Sequence, residues 1–151
     1  MAIASDETTT LSLKIPPHSL EAEQSVLGGL MLDENAWDRL ESIITADDFY
    51  RGDHRIIFRC MADLVATNKP LDIVTISESL EGVNELTNVG GIAYLSELAS
   101  NTPTASNVVA YAEIVAERAT VRGLISVANE IADAGFNPQG RTAAQLVDMA
   151  E

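Results

Sequence analysis

The side chains best equipped for chemistry are few. His18 and His54 are the only histidines and Cys60 the only cysteine. Asp47-Asp48 followed by Asp53-His54 has the carboxylate and imidazole make-up of a hydrolytic metal site. That cluster stands at the start of a helical pattern, however, where the helix dipole favours acids in any case. His54 and Cys60 do not fall on one helical face, and no second Cys or suitable His completes a ligand set. A small metal-dependent hydrolase using Asp47, Asp48, Asp53 and His54 is therefore an alternative without geometric support. No Gly precedes Lys-Ser or Lys-Thr, so the chain carries no P-loop. Gly90-Gly91 reads as a helix-start signal rather than a dinucleotide fingerprint, and nothing marks a nucleophile. No catalytic, cofactor-binding or metal-binding residues are expected.

Recognition is a better use for what remains. Tyr and Trp are enriched at binding hot spots. Trp37 reads as core, because large aromatics are scarce here, while Tyr94 and Tyr111 are open to a partner. Arg118 and Arg122 stand at i, i+4 in an acidic chain. Pairing with Glu113 and Glu117 along the same helix would contribute a few tenths of a kcal/mol per pair.

The overall balance fits this. Nine Lys and Arg stand against 23 Asp and Glu, for a net charge of −14. Such a surface repels nucleic acid and anionic membranes. It would speed the approach of a basic protein, or simply keep the chain soluble. Hydrophobic residues make up 46% but aromatics only 5%, so the core must be built from Ala, Leu, Ile and Val, with helices packed closely. No apolar run reaches the ~20 residues of a membrane span. A lone cysteine, with no basic-then-apolar leader pattern, points to the cytoplasm.

Patterning predicts an all-α fold in three parts. Residues 1–15, rich in Ser, Thr and Asp, read as a disordered tail. Residues 16–103 read as a compact helical subdomain, and 104–151 as a projecting helical hairpin. Ser19 should cap a helix carrying Leu20, Val26, Leu27, Leu30 and Met31. Gly28-Gly29 inside it cost about 1 kcal/mol each relative to Ala, so they imply close approach by another helix. Asp33 should cap a second helix through Ala36, Trp37, Leu40, Ile43 and Ile44. Gly52 or Asp53 opens a third, ended by Asn68-Lys69-Pro70. Ile73-Val74-Thr75-Ile76 favours a strand on propensity. Asp72 as a cap and the spacing Ile73, Ile76, Leu80 favour a helix, which is preferred because no second strand is there to pair with. A helix from Gly90-Gly91 should stop at Asn101-Thr102-Pro103. From Thr104 the apolar repeat runs for nearly 30 residues, beyond the usual helix length. Gly135 and Pro138 end it, and Thr142 opens a further helix with a capping box. The chain ends at Glu151 within that helix, so the hairpin's second arm is expected to be cut short. Such a hairpin cannot bury its apolar stripe alone and should pair with something.

These residues carry a resemblance. The run Pro16-Pro17-His18-Ser19-Leu20-Glu21-Ala22-Glu23-Gln24-Ser25-Val26-Leu27-Gly28-Gly29-Leu30-Met31 closely resembles the opening of the bacterial replicative DNA helicases, the DnaB family. Asp47-Asp48-Phe49-Tyr50, Val89-Gly90-Gly91 before Tyr94-Leu95, Asn101-Thr102-Pro103-Thr104-Ala105, and the stretch from Ser126 to Thr142 resemble it in the same order. The resemblance implies a two-tier hexameric ring, of which this chain matches only the N-terminal helical collar. Collar domains pair, as a trimer of dimers, and receive primase; a helicase loader is a further implied partner. ATP and magnesium belong to the family's motor, whose P-loop has no counterpart here. Little direct nucleic-acid binding and no membrane contact are implied, and a cytoplasmic place in the replisome. Together, the apolar stripe and the resemblance make Tyr94, Tyr111, Val115, Arg118, Val121, Arg122, Leu124, Ile125 and Ile131 the expected subunit or partner surface. A stand-alone adaptor with the same fold is the other non-catalytic alternative.

Overall fold

The structure, a computed structural model, describes residues 14–151. The tail expected over residues 1–15 lies, up to residue 13, outside them. Among the described residues the regular elements are all helical, with no strand. They are α1 (Leu20–Leu32), α2 (Trp37–Leu40), α3 (Gly52–Ala66), α4 (Ile73–Gly82), α5 (Gly91–Asn101), α6 (Val108–Phe136) and α7 (Ala143–Ala150).

Local chemistry sets most boundaries. The Ser19 hydroxyl accepts the Ala22 N–H at 3.2 Å and starts α1. Asp72 accepts the Thr75 N–H at 2.7 Å, and with that cap the β-branched run after it becomes α4, not a strand. Gly90, with φ of 99°, supplies the left-handed residue before α5, a conformation that costs other residues a steric penalty. Thr142 and Gln145 form the expected capping box at α7. One expectation is corrected. Asp33 does act as a cap, but it opens a 3-10 turn over Glu34–Ala36 and then the single turn of α2, not a helix reaching Ile44. The amides of Ile43 and Ile44 both fold back on the Leu40 carbonyl. The β-branched run Ile43-Ile44-Thr45 loses side-chain freedom in a helix, and Ile44 turns into the core instead.

Contacts divide the chain into two units. The larger is His18–Ala119; the other contains Thr120–Glu151 with the described residues 14–17. The boundary thus falls within α6, later than the expected start of the hairpin at residue 104. The reason is that Val108, Ala112 and Val115, in the first turns of α6, belong to the core of the larger unit. That core joins Val26, Leu27 and Leu30 of α1 to Ile57, Met61 and Leu64 of α3, Ile76 and Leu80 of α4, and Leu95 and Leu98 of α5. Trp37 is in it, stacked on Phe58 with ring centroids 4.9 Å apart. In the smaller unit the apolar side chains of α6 are mostly open to solvent: Leu124 is 68% exposed and Phe136 91%.

The predicted close approach is between α1 and α5. A Cβ on Gly28 would run into the Leu98 carbonyl and the Thr102 hydroxyl, and one on Gly29 would press on Val108. By contrast, nothing stands within 4 Å of a Cβ on Gly82. Gly28→Ala is therefore expected to cost about 3 kcal/mol through forced separation of the helices. Gly82→Ala should gain about 0.5–1 kcal/mol from helix propensity and a stiffer unfolded chain. Urea unfolding of the two variants checks both; a Gly28→Ala protein as stable as wild type would mean that the α1–α5 contact yields.

Candidate docking groove and the polar triad beneath it

Within the larger unit, α1, α5 and the first turns of α6 leave a groove of about 400 Å³. Its walls bring together Tyr94 and Tyr111 with the carboxylates of Glu21 and Glu97. Gln24, Asn101 and Thr102 add polar edges, and Leu98 and Ile114 apolar ones. No Lys, Arg or His lines it. Two phenol rings and two carboxylates around an opening of this size suit a cationic side chain, which can lie on an aromatic face and pair with a carboxylate.

Beneath it lies a buried polar chain. Glu23 of α1 and His54 of α3 are 1% and 0% exposed. The Glu23 carboxylate accepts from His54 Nδ1 at 2.7 Å, from the Tyr50 N–H at 2.8 Å and from the Arg51 N–H at 3.4 Å. His54 Nε2 lies 2.6 Å from the Tyr94 hydroxyl, which also receives an N–H from Gln24 at 3.3 Å. Arg51 grips Asp53 through both ends of its guanidinium and lies 5.3 Å from the centre of the Tyr94 ring. His18 stacks on Tyr50 at 4.1 Å. Burial works to raise the Glu23 carboxyl, but the hydrogen bonds from His54, Tyr50 and Arg51 outweigh it and hold it below its ordinary value. Burial pushes the Tyr94 phenol up, so it remains a neutral hydroxyl.

This geometry disposes of the hydrolase alternative. Asp47 pairs with Arg59 at 2.8 Å, and Asp48 accepts the Thr45 N–H at 2.9 Å. Asp53 is held by Arg51 and by its neighbour's N–H, and His54 by Glu23 and Tyr94. The four side chains serve four different local ends and do not converge. Among the described residues no three His, Cys, Asp or Glu side chains are placed to hold a metal.

Of the expected surface residues, Tyr94 and Tyr111 meet in the groove. Val121, Leu124 and Ile125 are exposed on α6, and Arg118 and Ile131 are half-buried. Val115 is a correction. At 2% exposure it packs in the core of its own unit and is unavailable to a partner. Arg122 donates to the Pro17 carbonyl at 2.8 Å, and no ion pair joins Glu113 or Glu117 to Arg118 among the described residues. Sequence reasoning missed the carboxylates of the groove, the exposed Val127 and Phe136, and the Glu23–His54 pair. Sequence reasoning could not pair His54 because Glu23 and Tyr94 are 31 and 40 positions away. Only a buried-histidine signal could have flagged it, and spacing carries none.

The chain is similar to known proteins in both sequence and fold. Residues 15–117 match the DnaB-like helicase N-terminal domain family. The replicative DNA helicase DnaB of Haemophilus influenzae is 46% identical over 149 residues, covering 99% of this chain and 32% of that helicase. This chain therefore spans about a third of such a relative's length. The N-terminal domain of DnaB helicase from Mycobacterium tuberculosis superposes with a TM-score of 0.86 at 37% identity, covering 90% of this chain and 95% of that one. A DnaB-like replicative helicase whose structure was described with its interactions with primase superposes with a TM-score of 0.69 at 25% identity. That match covers 87% of this chain and 31% of the other.

The buried carboxylate makes stability depend on pH. Glu23 titrates below its ordinary 4.5 when folded, so the unfolded chain binds more protons there as pH falls. The stability this contributes is complete above the ordinary carboxylate range and is lost as pH drops through the depressed value. Glu23→Gln leaves buried donors short of an acceptor and should cost about 1–3 kcal/mol at neutral pH. The cost should shrink in acid. Urea unfolding at about pH 7 and about pH 3.5 measures both; a penalty that is the same at the two values would refute the linkage.

Proposed function

Because this chain belongs to the DnaB-like helicase N-terminal domain family, we propose that it forms the collar of a replicative helicase ring, where it pairs subunits and docks primase. The observation that carries the reading is the stripe of Val121, Leu124, Ile125 and Val127, left exposed along α6. An amphipathic helix whose apolar face stays exposed among the described residues gains most by packing against another copy. Pairing of this kind is self-complementary, and repeated around a ring it yields a trimer of dimers.

The groove is the second element of the proposal. Tyr94, Tyr111, Glu21 and Glu97 present aromatic and acidic groups to a basic face of primase, and the net charge of −14 steers such a partner in. The relative described with its primase interactions supports the choice of partner. ATP hydrolysis, magnesium binding and DNA translocation belong to a motor further along the helicase, and a helicase loader would compete for the same collar. Repulsion of phosphate by this surface leaves the DNA to that motor.

Two measurements test the proposal. Light scattering should give the wild-type chain more than its monomer mass of 16.1 kDa at high concentration, and Leu124→Glu with Ile125→Glu should return it to monomer without loss of helicity. A wild type that stays strictly monomeric would sink the pairing. Tyr111→Ala or Glu97→Lys should weaken primase binding about tenfold, or 1.4 kcal/mol, in calorimetry; unchanged affinity in both would remove the groove from the docking surface.

A further inference from the structure

We propose that Glu23 and His54 are positioning residues that set the hydrogen-bonding polarity of the Tyr94 hydroxyl, so that the groove takes a partner's guanidinium while His54 is neutral and releases it when His54 is protonated. The proposal rests on the reading of the groove as a docking site.

The contacts fix where each proton sits. Glu23 is an ionised carboxylate that only accepts, so the proton of the 2.7 Å contact sits on His54 Nδ1. In the neutral ring Nε2 is then a lone pair, and the 2.6 Å contact must be donated by the Tyr94 hydroxyl. The Gln24 amide donates to the same oxygen at 3.3 Å. With its proton directed inward, the Tyr94 oxygen keeps a lone pair free for a further donor, and Tyr94 lines the groove together with Glu21 and Glu97.

Protonation of His54 reverses this. Nε2 becomes a donor to Tyr94, the hydroxyl proton must turn away from the ring, and with Gln24 still donating it turns toward the groove. The groove then offers a donor where a guanidinium needs an acceptor. The charge of the buried pair beneath it also rises from negative to neutral, which removes attraction for a cation. The groups facing His54 are Glu23 on α1, Tyr94 on α5, and the Phe49 ring edge-on. Arg51 and Asp53, at the start of α3, pair with each other.

Nuclear magnetic resonance on the whole chain tests this, with N-acetyl-arginine amide as probe. In wild-type protein at about pH 8 the His54 ring should show a protonated Nδ1 and an unprotonated Nε2. Probe binding, read from shifts at Tyr94 and Glu97, should weaken about five-fold between about pH 8 and about pH 6. His54→Gln, which keeps a neutral polar group in place, should bind at about pH 8 and vary less than about two-fold over the same range. An unprotonated Nδ1, wild-type binding that does not change with pH, or a His54→Gln profile matching wild type would each overturn the proposal. Glu97→Lys is the separate control for the groove: if it leaves probe affinity unchanged, the groove reading fails rather than the histidine's role. The tautomer is read on wild type alone, so the test stands even if the variant folds poorly.

Discussion

Burying a carboxylate is costly unless every lone pair that leaves water finds a donor. Glu23 offsets that cost with three donors, all from residues 50–54 of the chain. The amides of Tyr50 and Arg51 fix the loop before α3, and His54 fixes the first turn of α3 itself. Through His54, the same carboxylate reaches Tyr94 on α5. An apolar residue at position 23 could fill the volume but could not orient that loop, since backbone amides at its turn would be left without acceptors. The packing of α1 against α3 and α5 is therefore specified by polar contacts as well as by Leu and Val.

The second constraint is the shortage of aromatic side chains. A core made largely from Leu, Ile, Val and Ala fills space only if helices come close, and Gly28 lets the α5 backbone approach α1 where any side chain would collide. The few large rings are then concentrated. Trp37, Phe49 and Phe58 form one cluster inside, with Trp37 stacked on Phe58 and Phe49 tilted against it. Tyr94 and Tyr111 stand at the surface instead, on the rim of the groove. Core and groove are thus two results of one packing arrangement, because the α1–α5 contact that excludes water at Leu98 leaves the opening beside it.

The long helix α6 takes part in both units in different ways. Its first turns are core, with Val108, Ala112 and Val115 buried. Further along, the same apolar repeat goes on, and there Leu124 and Val127 are exposed. Periodicity is identical in the two stretches. A residue's role on such a helix depends on whether the chain folds back over it, which explains why Val115 and Leu124 fall on opposite sides of the line.

Much of the fold was legible in the residues alone. Ser19, Asp72 and Thr142 started helices because a side-chain oxygen beside a free amide acts over three residues, within sight of a local pattern. Gly28 announced a helix crossing because its cost demands a return, and the −14 charge turned attention from nucleic acid to protein. Tyr94 was picked out as a residue type, but its partners were not, nor was the use of Val115. The Glu23–His54–Tyr94 chain spans three helices, and no short-range rule links residues so far apart. Hydrogen-bond partners across helices are fixed by how the helices pack, and only the tertiary structure decides that.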